Sequence, residues 1–433
     1  MNTVEISKKV AWRLLPFLLL MYVMAFLDRA NVGFAKEAFQ ADTGISNAAF
    51  AFGAGIFFLG YALFEVPSNL IMQRVGAKIW MCRIMVTWGM LSAAMMFADS
   101  ETLFYLLRFM LGVAEAGFFP GVILYLTYWF PSQYRAKAMG FFYFGAPIAF
   151  ILGGPLSGFL LELHGAGGLL GWQWMFLVEG LLASIVGVWA YFYLDNGPKD
   201  AQWLSDSERN QLIAALDAEN RDKVGHEGHG SLLKAMRDMR TLHLALIYAL
   251  IQCSVYGMVF YLPTQVGALV GDSVGLVVGL FTAIPWICAL LAAYFIPAFS
   301  DRTGERRKTA AVTILISGCG IALSVALSTP AIAFIALCFA AAGFIAVQPV
   351  FWTFPSAYLT GSAAAAGIAL INTIGAIGAF LAPNLKNWAE TTYASNSAGL
   401  YLLASLTVVA ALLLLAIRRS DSADYAAAKT HLS

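Results

Sequence analysis

The chain has 433 residues, 60% of them hydrophobic and only 12% charged, with a formal net charge of +1. Soluble domains sit nearer about 45–50% apolar and about 25% charged, so a soluble globular protein is excluded. So is a nucleic-acid binder working through a basic surface.

Apolar runs such as residues 79–96 and 402–417 are long enough to cross a hydrocarbon core of about 30 Å as helix. About twelve such runs begin near residues 14, 50, 79, 102, 137, 174, 243, 275, 310, 331, 362 and 398. They predict an all-α membrane protein with twelve transmembrane helices. Lys8, Lys9 and Arg13 before the first run resemble the start of a signal peptide. Asp28 and Arg29 interrupt that run, and no small-residue cleavage pattern follows, so a retained first helix is expected. The polar segment 196–241 divides the runs six and six. The expected organisation is an N-terminal six-helix bundle (1–195), a cytoplasmic linker (196–241), a C-terminal bundle (242–418) and a cytoplasmic tail (419–433). Within the linker, residues 205–217 predict a short surface helix. His226 and His229 have no further ligands nearby, and the five cysteines lie in apolar runs without paired spacing, so neither a metal site nor a disulfide framework is expected.

Basic residues near span ends mark the cytoplasmic side. They cluster before span one (Lys8, Lys9, Arg13), after span two (Arg74, Lys78, Arg83), after span four (Arg135, Lys137), in the linker, after span eight (Arg302, Arg306, Arg307, Lys308) and after span twelve (Arg418, Arg419). The intervening connections are poor in Lys and Arg, which places both termini in the cytoplasm.

Four charges stand inside apolar runs: Asp28 and Arg29 in span one, Arg108 and Glu115 in span four. Each costs about 2.5–3.5 kcal/mol on insertion scales, which points to function. Counting 1.5 Å per residue, Asp28 lies about 21 Å up from the start of span one and Arg108 about 9 Å down from the start of span four. Their depths coincide, so the two are expected to face each other. Glu115 is two turns beyond Arg108 on nearly the same face, and Arg29 points about 100° away from Asp28. A guanidinium suits a carboxylate cargo, so Arg29 is the favoured substrate ligand, with Arg108 contributing to binding or gating. Glu115, and Asp28 if its pair opens, are the candidates for proton coupling. Gln252, Tyr256, Gln348 and Trp352 are further polar or aromatic candidates for ligand contact, with helix packing as the alternative reading; Glu65 and Glu179 are read as structural. No clustered histidines, nucleophile–base pair or phosphate loop supports an enzyme, and no large soluble domain supports a sensor.

The halves echo each other: Arg74 and Gly76 after span two match Arg302 and Gly304 after span eight. The run Asp301–Arg302–Thr303–Gly304–Glu305–Arg306 resembles the cytoplasmic loop motif of the major facilitator superfamily, as do Arg108 to Gly112 and the Gly/Pro-rich stretch 145–158. The first copy departs from the motif at Gln73 and Ala77, which weakens the expected charge latch there. The segments 26–35, 112–121 and 172–180 resemble the anion:cation symporter family. Residues 42–47, 53–58 and 348–353 are similar to its L-rhamnonate transporters. A monomer with no cofactor beyond the coupling ion is expected. The resemblance implies the major facilitator fold and an organic anion such as a sugar acid carried with protons across a bacterial cytoplasmic membrane. It also implies that Tyr61 and Asn372 bind substrate. Phe26 and Ala146 stand where galactonate-carrying relatives have tyrosine and glutamine, which argues against galactonate and suits a less hydroxylated acid. Tartrate-like or aromatic acids, organic-anion exchange and drug efflux remain open alternatives.

Overall fold

A computed structural model describes residues 3–224, 237–358 and 362–417. Among them twelve helices are long and apolar enough to cross a membrane, and no strand occurs. In chain order they are span 1 (Val4–Thr43), span 2 (Asn47–Val75), span 3 (Ala77–Phe97), span 4 (Glu101–Trp129), span 5 (Ser132–Glu162), span 6 (Gly171–Tyr193), span 7 (Met239–Val270), span 8 (Leu276–Thr303), span 9 (Arg306–Ala326), span 10 (Pro330–Ser356), span 11 (Gly367–Thr392) and span 12 (Ala398–Leu415). In hydrocarbon every backbone polar group needs an internal partner, which is why these runs are helical. Large apolar side chains such as Leu63, Phe192, Phe295 and Leu412 remain exposed, forming the lipid-facing belt.

Three pairs of spans join the two halves: 1 with 7, 2 with 11, and 5 with 8. Spans 3 and 6 pack together on one flank, and spans 9, 10 and 12 on the other. Spans 5 and 8 touch backbone to backbone at Gly154 and Gly279; a Cβ on Gly279 would stand 2.1 Å from the Gly154 carbonyl oxygen. Small residues permit such approach, and any side chain would wedge the halves apart.

The loop glycines have a backbone reason. Gly76, the single residue between spans 2 and 3, has φ 98°, and Gly304 after span 8 has φ 69°. Asp301 accepts a hydrogen bond from Arg306 Nη2 at 3.0 Å, while Arg74 and Arg302 lie exposed at the same face. The linker helix runs over Asp206–Val224, longer than the expected 205–217. It docks on the N-terminal half, where Glu208 pairs with Lys9 at 2.8 Å and Glu219 with Arg135 at 3.2 Å. Trp203, just before the helix, stacks on Trp129 at 5.6 Å. Ion pairing with Lys9 holds the Glu208 carboxyl below its ordinary range. His226, His229 and the tail 419–433 lie outside the described residues.

Candidate functional site

Between the halves lies a cavity of about 880 Å³, reaching from Arg29 to Lys137, Pro297 and Ser356 at the face that carries the linker. Span 1 supplies Tyr22, Phe26 and Arg29, four and three residues apart, so all three share one helix face. Span 2 contributes Tyr61, span 7 Gln252 and Tyr256, span 10 Gln348 and Trp352, and span 11 Asn372. Seven of the eight residues expected to bind substrate therefore line one chamber. Phe26 and Ala146 line it too.

Arg29 is the centre of the chamber's electrostatics. Its Nε donates to Glu115 Oε1 at 2.9 Å, its Nη2 donates to the same oxygen, and its Nη1 donates to the Tyr256 hydroxyl at 3.0 Å. The guanidinium also lies over the rings of Phe26 and Tyr61, 4.9 and 5.3 Å from their centroids. Its side chain is 12% exposed whereas that of Glu115 is fully buried. The cation faces the chamber and the carboxylate stands behind it. Among the described lining residues the charged side chains are Arg29 and Lys137, and no carboxylate lines the wall.

Two expectations require correction. Arg108 does not line the chamber and forms no ion pair with Asp28. Its Nε and Nη2 donate to the carbonyls of Gly53 and Ala54 at 3.3 and 3.2 Å, tying span 4 to span 2. Small residues at 53 and 54 let the guanidinium reach span 2's main chain, and equal depth does not fix azimuth. Asp28 turns the other way, into the N-terminal half, where it accepts hydrogen bonds from Ser92 and, at 3.2 Å, from Asn31. Glu115, which has no charged neighbour in sequence, pairs with Arg29 across 86 residues.

Two features were not anticipated. Span 4 is broken: one helical segment ends at Glu115 and the next starts at Phe118. Gly117 at the joint has φ 86°, and a Cβ there would stand 2.3 Å from Ser68 Oγ. Pro120 has no N–H for the Ala116 carbonyl, so a continuous helix would lack a bond at this point. The pairing of Gly117 with Pro120 was the legible signal. Glu65 accepts a 2.7 Å hydrogen bond from Asn372, joining span 2 to span 11 across the halves. It stands one turn beyond Tyr61 on the same face, a spacing that placed it near the chamber. The tyrosines Tyr22, Tyr143 and Tyr248 also line the wall; Tyr22 is seven residues before Arg29 and Tyr248 four before Gln252, again shared faces.

A chamber at the junction of two six-helix bundles, walled by both and containing one deep cation, defines a membrane carrier. Residues 18–383 match the Major Facilitator Superfamily, and the chain belongs to it: it is a multi-pass cell-membrane transporter. It is 52% identical over 413 residues, 95% of both chains, to the inner membrane transport protein RhmT of Escherichia coli (strain K12). It is 39% identical over 399 residues, 92% of both chains, to a quinolone resistance transporter of Acinetobacter baumannii. Among solved structures it resembles the inward open conformation of the xylose transporter XylE from E. coli. There the TM-score is 0.72 at 16% identity, covering 93% of this chain and 95% of that one, a likeness of fold alone.

Proposed function

We propose that the protein is a proton-coupled symporter that imports a small monocarboxylate sugar acid, L-rhamnonate foremost, across a bacterial cytoplasmic membrane as a monomer, without a cofactor. The observation that carries this reading is the chamber whose deep charged group is Arg29, with no carboxylate on the described wall. A planar guanidinium holds a carboxylate through two parallel hydrogen bonds and remains charged at any physiological pH. Tyr61 from one half and Asn372, Gln252, Tyr256 and Gln348 from the other supply hydroxyl-reading groups. Trp352 offers an apolar face to the sugar carbons.

Coupling follows from what holds Arg29 now. Glu115 takes its Nε and Nη2, so in the empty carrier the charge is already answered. A proton on Glu115 removes that answer and frees the guanidinium for the cargo's carboxylate. A carrier loaded with both proton and anion has the same net charge as the empty one. Loading the anion alone leaves an uncompensated buried charge, which is far more costly to move. Asp28, within the field of both Arg108 and Arg29, is the second proton holder in this scheme. The lysines and arginines clustered at the span ends on this side support a chamber open to the cytoplasm.

Uptake of radiolabelled L-rhamnonate by proteoliposomes tests the reading. An inward-directed proton gradient should drive accumulation above equilibrium. Uptake that ignores pH but accelerates with trapped acid would instead establish exchange. The alternative cargo is a tartrate-like acid, favoured by two Agrobacterium vitis relatives at 43% and 44% identity whose names give tartrate as cargo. An aromatic acid is favoured by the ring-lined wall. Competition by unlabelled tartrate and benzoate against labelled L-rhamnonate ranks the three.

A further inference from the structure

Beyond the closed end of the chamber, two cations from opposite halves converge on one ring. Lys36 of span 1 places its Nζ 6.0 Å from the centroid of Tyr261 in span 7. Lys386 of span 11 places its own 3.9 Å from the same centroid. Lys386 is only 5% exposed and pairs with Glu390 at 2.5 Å. Lys36 is half-buried, lies over Phe50 at 5.8 Å and forms no ion pair among the described residues. The nearby acidic groups are Glu37 and Glu390. Bringing two ammonium groups together away from water costs solvation and repulsion, and an aliphatic pair would seal the contact better. These lysines are therefore not explained by packing.

Their positions continue the walls of the chamber. Lys36 follows Arg29 by seven residues, so it stands about 10 Å farther along span 1 on nearly the same face. Lys386 follows Asn372 by fourteen residues, about 21 Å farther along span 11 and within about 40° of its face. Span 7 matches this order, with Tyr256 beside Arg29 and Tyr261 beside Lys36. Between the two levels spans 1 and 7 touch at Gly33, where a Cβ would stand 2.8 Å from the Phe260 carbonyl oxygen. That backbone contact shuts the chamber on this side.

We propose that Lys36 and Lys386 form an outer receiving site for the cargo's carboxylate. When the halves part on this side, the shared contact with Tyr261 breaks and both ammonium groups line the opened mouth. An incoming anion is held there before passing Gly33 to Arg29, and the return of Lys36 to Tyr261 closes the path behind it. The proposal rests on the reading that the cargo is an organic anion.

The test compares Michaelis constants for L-rhamnonate on the two faces, using intact cells for the outer face and inside-out vesicles for the inner one. Lys36→Gln should raise the outer-face constant about tenfold at low salt, with the difference shrinking as salt screens the field. The inward maximal rate and the inner-face constant should stay at wild-type values, the outward maximal rate falling in proportion as detailed balance requires. Lys36→Arg should restore the outer-face constant. Lys386→Gln should act in the same direction, but it strands Glu390, so Lys36→Gln decides the matter because it breaks no ion pair. An unchanged outer-face constant, or an equal rise on both faces, overturns the receiving site. Wild-type vesicles that carry no organic acid overturn the anion reading itself, a separate result.

Discussion

The interiors of the two halves are built from different chemistry. The N-terminal half buries Asp28, Glu65, Arg108, Glu115 and Glu179, with Arg29 at its inner wall. The C-terminal half offers the chamber neutral groups: Gln252, Tyr256, Gln348, Trp352 and Asn372. Its buried cation, Lys386, stands beyond the closed end. The two meet at Arg29 with Tyr256, and at Glu65 with Asn372. Under the proposed function this is a division of labour: the N-terminal half would handle charge and the proton, while the C-terminal half would supply most of the groups that read the cargo's shape and hydroxyls. Charge placed on one side of a hinge can be compensated there before the halves move; spread over both, it would be separated at each cycle.

The largest effect should come from the shared cation. Arg29→Gln removes the ligand and strands Glu115, so binding of L-rhamnonate should weaken on the order of a hundredfold, measured by calorimetry on purified protein. Wild-type affinity would move the anion site elsewhere. Next, Glu115→Gln should abolish accumulation driven by a proton gradient while leaving exchange of labelled for unlabelled acid at the wild-type scale. Loss of both would make the glutamate structural, and retention of both would remove it from coupling. Gly117→Ala, forced to a positive φ against Ser68, should cost about 1–2 kcal/mol and lower the unfolding temperature in detergent.

On the reading side, Asn372→Ala should raise the Michaelis constant about fivefold, the size of one neutral hydrogen bond, without shifting the pH profile of uptake. A shifted profile would show that Glu65, left without its partner, belongs to the proton machinery as well. The smallest effect concerns the docked linker. The Glu208 carboxyl is held low by Lys9, against about 4.3 in an unfolded chain. Its contribution is therefore complete above that value and is lost as pH falls through the lower, folded one. Hydrogen exchange of the helix Asp206–Val224 should stay protected from about pH 8 to 5 and loosen only below about 4.

Much of this site was legible before any coordinates. Arg29, Tyr61 and Asn372 were singled out by residue type, by intramembrane cost or by resemblance, and all three line the chamber. Depth along a span does not locate Arg108, because the direction of its side chain depends on which neighbour offers an acceptor, here the Gly53 and Ala54 carbonyls. The pairing of Arg29 with Glu115 was missed for the same reason. The break at Ala116–Gly117 is marked locally by Gly117 and Pro120, but hydropathy alone does not show it, because an apolar run looks continuous whether or not its backbone bends.

Sequence alone determined the twelve spans, because a segment's entry into hydrocarbon depends on its own composition and on satisfying its own backbone. It determined the turns at Gly76 and Gly304 as well, since a positive φ is a local demand. Tertiary structure alone decided which charge meets which. Rotation of each helix about its axis is set by packing against its neighbours, and a few tens of degrees separate a wall of the chamber from the interior of a bundle.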